Sequence, residues 1–191
     1  VESLKIEKGP SWLSVNWVSE KPYPSKLVFD KPRSFMAEGD SGAPVTNHEV
    51  IVTPLPENSS CVFRVLFPNG EKSLQQRVQL SRLTVELVRV ERKRKTIALS
   101  WKQSHGQTAS LQWPGGRFIA QKEDGLWMSL LPWPLEVKDI TMVIDLGKGV
   151  KKELSMSELV QEHIMRHLRR LEATVPADLV SETLRNNVGT I

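Results

Sequence analysis

The stretches Leu13-Ser14-Val15-Asn16-Trp17 and Ile97-Ala98-Leu99-Ser100-Trp101 share one form. In each, apolar side chains fall on every second residue and a tryptophan closes the run. Alternation with a period of two separates the side chains of an extended strand onto two faces, so each pentad is expected to be a half-buried β-strand. A large ring at the end of such a strand suits the space between two sheets packed about 10 Å apart. From Trp17 to Trp101 the displacement is 84 positions.

Working outward from the first pentad, short strands are expected at Leu27–Phe29, His48–Val52, Cys61–Phe67 and Ser73–Leu80. Turn formers separate them: Lys21-Pro22-Tyr23-Pro24-Ser25, Thr53 to Asn58, and Pro68-Asn69-Gly70. Asn-Gly marks a hairpin because both residues accept positive φ. The polar stretch Asp30 to Pro44 is expected to be a long loop or a ragged edge. Around the second pentad the pattern begins again. Leu111–Trp113 takes the place of Leu27–Phe29, Leu131-Pro132 that of Leu55-Pro56, and Ile140–Leu146 that of Cys61–Phe67. Gly147-Lys148-Gly149 stands for Pro68-Asn69-Gly70, and Lys151–Leu154 closes the copy. A repeat carrying its own full set of strands indicates two successive domains and not a solenoid; the expected division is 1–82, 83–154 and a helical tail at 155–191. In that tail Ser157 is the expected N-cap, and Leu159, His163, Ile164, His167, Leu168 and Leu171 recur at helical spacing. Pro176 ends this helix or begins the next, a short second helix is expected over Ala177–Arg185, and Asn186–Ile191 carries no periodicity.

The first repeat resembles a fibronectin type III domain over about residues 3–80. The resemblance rests on the order of Trp17, the strand His48-Glu49-Val50-Ile51-Val52, the turn Leu55-Pro56-Glu57-Asn58, and Phe63-Arg64-Val65 ahead of Asn69-Gly70. Where that family carries a tyrosine after the leucine, this chain has Cys61. The second repeat keeps Trp101 and adds Trp113, Trp127 and Trp133. The resemblance implies a mainly β fold of two consecutive fibronectin-III/Ig-like β-sandwiches followed by a short C-terminal helical segment. It also implies a role as spacer or binding surface.

Composition agrees with a folded chain of that kind. Of 191 residues, 39% are apolar, too many for a disordered chain. The net charge of +4 is a mild excess. Its one dense run, Arg89, Arg92, Lys93, Arg94 and Lys95, reads as a solvated hairpin or linker, with an acidic or nucleic-acid partner as the alternative. The single cysteine, Cys61, forbids an intrachain disulfide, and Ser60-Cys61-Val62-Phe63 marks it as a buried apolar residue. No apolar run reaches the roughly 18 residues of a membrane span. The chain opens at Val1 with no signal peptide, which suggests a piece of a longer protein, with an extracytoplasmic bacterial setting favoured.

Several segments have the form of motifs that carry chemistry elsewhere. Gly39-Asp40-Ser41-Gly42-Ala43-Pro44 resembles the nucleophile segment of chymotrypsin-like serine proteases. No histidine precedes Ser41, however, and about 40 residues are too few for the half-barrel that would supply His and Asp. His163 and His167 are four apart, but Glu162 precedes the first instead of following it, so the zincin pattern fails. Asn58-Ser59-Ser60 has the form of a glycosylation sequon, relevant only in a secreted eukaryotic protein. Gly115-Gly116 and Gly147-Lys148-Gly149 read as hairpin turns, not phosphate cradles. Trp113 shares parity with Leu111 and is expected to point inward; Trp133, between two prolines, is the tryptophan best suited to exposure. No catalytic, cofactor-binding or metal-ligating residue is assigned. The expected partner-binding surface is Trp133, Arg92 and Arg94. The chain therefore reads as a non-catalytic interaction or spacer module of a larger protein. Its partner would be a protein or a neighbouring domain, with carbohydrate as a second ligand class. The alternatives are an accessory β-sandwich of a hydrolase whose catalytic part lies elsewhere, and a serine peptidase resting on Ser41 alone.

Overall fold

The structure is a computed structural model that describes residues 3–31, 37–39, 45–67, 70, 73, 75–132 and 134–174. Over the described residues the fold is mainly β, followed by one C-terminal α-helix. The chain divides into two compact units: Val1–Thr84 with Gln103–Thr108 and Ile144–Lys152, and Val85–Lys102 with Ala109–Val143 and Glu153–Ile191.

Among the described residues up to Gln79 there are seven strands: β1 (Ser3–Lys8), β2 (Leu13–Tyr23), β3 (Lys26–Lys31), β4 (Ala37–Gly39), β5 (Val45–Val52), β6 (Ser60–Leu66) and β7 (Gln76–Gln79). They form two sheets, ordered β1-β2-β5 and β4-β3-β6-β7, with antiparallel neighbours. Leu13, Val15 and Trp17 are buried as expected and pair with Val52, Val50 and His48 of β5, but the intervening Ser14 is buried as well, and of the pentad's other face only Asn16 is partly exposed. They share one core with Leu27 and Phe29 of β3 and with Cys61, Phe63 and Val65 of β6. The two sheets therefore pack face to face as an immunoglobulin-like sandwich. Each buried Leu, Val or Phe side chain contributes about 1.5–3 kcal/mol. Asp30 to Pro44 is partly ordered by β4, which pairs with β3; Asp40 to Pro44 lie outside the described residues, as do Pro68 and Asn69.

The remaining strands are β8 (Val85–Arg92), β9 (Thr96–Gln103), β10 (Thr108–Trp113), β11 (Gly116–Ile119), β12 (Gln121–Glu123), β13 (Leu126–Pro132), β14 (Thr141–Gly147) and β15 (Val150–Ser155). Their sheets run β12-β13-β9-β8 and β11-β10-β14-β15. The order repeats that of the first set, with β8, β9 and β13 standing for β1, β2 and β5, and β12 added at an edge. Register refines the expected alignment of the two repeats. Trp127 pairs with Trp101 as His48 pairs with Trp17, so Leu131, four residues on, answers to Val52 and not to Leu55. Gly147, Lys148 and Gly149 have φ of 89°, 53° and 79°, three successive left-handed residues that close the β14–β15 hairpin as expected.

The helix α1 (Met156–Thr174) begins directly after β15, one residue before the expected cap Ser157. The Met156 N–H is held by the Ile140 carbonyl at 3.1 Å, so backbone contact fixes the start. Met156 and Leu159 are buried, His163 donates Nδ1–H to the Leu87 carbonyl at 2.8 Å, and Arg166 pairs with Glu86 at 2.5 Å. Further along, Ile164 and Leu168 of the expected apolar face remain 51% and 47% exposed. The second helix expected at Ala177–Arg185 lies outside the described residues.

Candidate functional site

The outer face of the sheet β12-β13-β9-β8 carries a groove. Its floor follows from the alternation in the second pentad. Leu99 and Trp101 point toward the core and are buried, so Ala98 and Ser100 point the other way. Across the strand pair Ala98 faces Leu130 and Ser100 faces Met128, and direct partners stand on one face. On the far side of Met128 its partner is Gln121 of β12. Small residues on the central strand beside larger ones on β13 leave a depression of about 290 Å³, with Phe118 of β11 completing the apolar lining. Leu130 remains 49% exposed in it.

The other wall comes from β8, and a bulge puts it there. Ser104 N–H donates to the Thr84 carbonyl and Lys93 N–H to the Thr96 carbonyl. Between these two bonds the chain takes nine steps from Thr84 to Lys93 but eight from Thr96 to Ser104. One extra residue on an edge strand is a β-bulge, which re-aims the side chains beyond it. Leu87 thus packs toward the core, while Arg89, Glu91 and Lys93, of the same parity, line the groove. Arg89 and Glu91 form an ion pair at 3.0 Å. Lys93, Arg94 and Lys95 make no ion pair among the described residues. With Arg89 and Arg92, residues 89–95 hold five cations against one carboxylate, Glu91. The wall is basic.

Of the residues expected to form the partner surface, Arg92 ends β8 and Arg94 lies in the β8–β9 turn, both exposed. They adjoin the groove, whose lining comes from Arg89, Glu91 and Lys93 instead. Trp133 lies outside the described residues; the residue before it, Pro132, pairs with Thr96 next to the basic turn. Trp127 is buried in the core, with the Lys122 ammonium 5.7 Å from its ring centre, and Trp113 is half-buried over Gly116. Asp40, Ser41 and Gly42 lie outside the described residues. His163 and His167 approach ring to ring at 4.7 Å, but His163 is spent on the Leu87 carbonyl. His48 is buried in the first sandwich, and His105 bonds Ser81 at 3.0 Å. Among the described residues no three His, Cys, Asp or Glu side chains gather as a metal site would require, and no helix is long and apolar enough to cross a membrane. The groove residues Ala98, Ser100, Met128 and Leu130 escaped the sequence reading. For Ala98 and Ser100 the signal was the outward half of the alternation in the second pentad, whereas Met128 and Leu130 join them only through the pairing of β13 with β9.

No protein-family model and no curated protein matches the chain. Among solved structures it is similar to a pullulanase from Anoxybacillus sp. LM18-11, at 11% identity over 79% of this chain, with a TM-score of 0.29. This chain spans 25% of that pullulanase chain. It is also similar to a two-domain fibronectin type III segment of chicken tenascin, at 12% identity over 80% of this chain and 97% of the segment, with a TM-score of 0.27. Superpositions this loose decide nothing about fold or function, and the strand order above stands on backbone pairing alone.

Proposed function

We propose that the chain is a non-catalytic interaction and spacer region of a larger protein, made of two fibronectin-III-like modules, the second of which holds a protein partner in its outer-face groove. The observation that carries this reading is the groove itself: an outward apolar floor of Ala98, Met128 and Leu130 beside a basic edge. Solvent-facing positions on a sheet ordinarily carry polar side chains, so an apolar concavity there signals a surface that another chain covers. Its lining comes mainly from strands β8, β9 and β13 of one hydrogen-bonded sheet, with Phe118 of β11 and Gln121 of β12 beside them. A preformed surface of this kind binds without an ordering cost on the module's side.

Selection of a displayed random-peptide library on the whole chain tests the reading. Peptides that enrich on the native chain and fail on the Leu130→Glu variant support it. Peptides that bind both equally, or no enrichment at all, sink it. Leu130 is half exposed, so the substitution leaves folding intact, and a circular dichroism melt checks that.

A further inference from the structure

Resting on that reading of the groove, we infer that its ligand is an extended acidic segment whose alternate apolar side chains seat on Ala98, Met128 and Leu130. Shape, volume and charge each narrow the ligand class.

Shape comes first. The floor strand β9 lies between β8 and β13, and two strand spacings make about 10 Å from wall to wall. A helix with its side chains is about 10–12 Å thick and would rest on the rims. An extended chain is thinner and points every second side chain downward, so it reaches Ala98 and Ser100. The space of about 290 Å³ sits at the lower bound for small-molecule sites, which suits one or two side chains of a chain lying across it.

Charge then selects the composition. Glu91 is already paired with Arg89, so the hairpin presents Lys93, Arg94 and Lys95 to an incoming ligand. In an extended segment the side chains that do not point down stand away from the floor, at the height of the rim, where the long side chains of Lys93, Arg94 and Lys95 reach their carboxylates. Such charges steer encounter and favour acidic over basic partners. A nucleic acid would satisfy the same cations but gains little from the exposed Leu130 and half-buried Met128, which a protein side chain covers.

Fluorescence anisotropy with three labelled octapeptides tests this. The probes are Glu-Asp-Glu-Phe-Glu-Leu-Glu-Asp, its counterpart with Lys at every acidic position, and an acidic version with Ser for Phe and Leu. The acidic apolar peptide is expected to bind at least about tenfold tighter than either control, and more weakly as salt rises. Lys93→Glu and Leu130→Glu are each expected to weaken it about tenfold. Equal binding of the lysine peptide, or binding that survives Leu130→Glu, overturns the inference. So does a single-stranded DNA oligomer that displaces the peptide from the native chain and also binds Leu130→Glu undiminished. If library-selected peptides need Leu130 but carry no acidic residues, the groove remains a binding site and only its acidic preference falls.

Discussion

The indole of Trp17 lies flat on the imidazole of His48, ring centres 4.9 Å apart and planes 7° from parallel. The two are direct partners across β2 and β5, and hydrogen bonds order their protons. The Trp17 Nε1–H donates to Ser25 Oγ at 3.1 Å, which leaves the Ser25 hydroxyl hydrogen for His48 Nδ1 at 3.1 Å. On the far side the Ser19 hydroxyl donates to the Lys21 carbonyl at 2.7 Å, so its oxygen accepts from His48 Nε2 at 3.2 Å. The network thereby assigns the Nε2–H tautomer to a buried histidine.

Ser25 is the hinge of that relay, since it accepts from the indole and donates to the imidazole. Ser25→Ala is expected to destabilise the chain by about 2–3 kcal/mol, because it strips two buried polar groups of a partner at once. Urea unfolding measures the loss, and ¹⁵N NMR of the imidazole checks the tautomer. An Nδ1–H signal for His48 would overturn the assigned direction of the relay.

Cys61 sits in the same core, and burial pushes its thiol above the ordinary range, with the Ser59 hydroxyl opposing weakly. Only the thiolate attacks alkylating reagents, and none reaches a closed core. Iodoacetamide is expected to label the native chain more slowly than the denatured chain by on the order of a thousandfold. Labelling at comparable rates in both states would show that the core opens.

How much of this was legible beforehand depends on the range of the information. The strand alternations around Trp17 and Trp101 are local, and burial follows them at Leu13, Val15, Trp17, Leu99 and Trp101, though Ser14 is also buried and Ile97 only partly so. The hairpin at Gly147–Gly149 was likewise written in its own residues. The groove was not, because it is a property of register. Ala98 meets Leu130 only through pairing across some thirty residues, and Arg89 faces outward only because β8 holds one residue more than its partner. The correspondence of Leu131 with Val52 was missed for the same reason, since similar dipeptides in sequence need not share a place in the ladder.

Ser129 faces Leu99 in that ladder and is buried, with no hydrogen-bond partner for its hydroxyl among the described residues. A hydroxyl in that state costs free energy that alanine does not. Ser129→Ala is expected to stabilise the chain by about 0.5–1 kcal/mol in urea unfolding. A loss of 1 kcal/mol or more would mean that the hydroxyl is satisfied in solution.

Glu57, within the first unit, sets a pH dependence. Burial acts to raise its carboxyl, but the Lys152 ammonium 2.9 Å from Oε1, the Leu83 N–H 3.1 Å from Oε2 and nearby Arg82 outweigh it and hold the group below its ordinary range. The folded state therefore releases this proton more readily than the unfolded one. Its contribution is complete above the unfolded carboxylate value of about 4.3 and is lost as pH falls through the lower folded value. Glu57→Gln is expected to reduce stability by up to about 1 kcal/mol at pH 7, less in high salt, with the gap closing toward pH 3. A difference that stays constant from pH 7 to pH 3 would exclude the carboxylate as its source.

The helix α1 offers a comparison between two leucines nine residues apart on one element. Leu159 is 9% exposed and Leu168 47%. Removing a buried leucine side chain loses its transfer free energy and leaves a cavity, so Leu159→Ala is expected to cost about 2–3 kcal/mol. Leu168→Ala removes atoms that already face water, so its expected cost is within about 0.5 kcal/mol. Amide hydrogen exchange along the helix reads both effects locally. Leu159→Ala should release protection in the turn that bonds Ile140 and in the region of His163, while Leu168→Ala should leave those amides unchanged. If Leu168→Ala instead destabilises as much as Leu159→Ala, that face of the helix is covered in solution, and the apolar stripe at Ile164 and Leu168 packs against a further part of the protein.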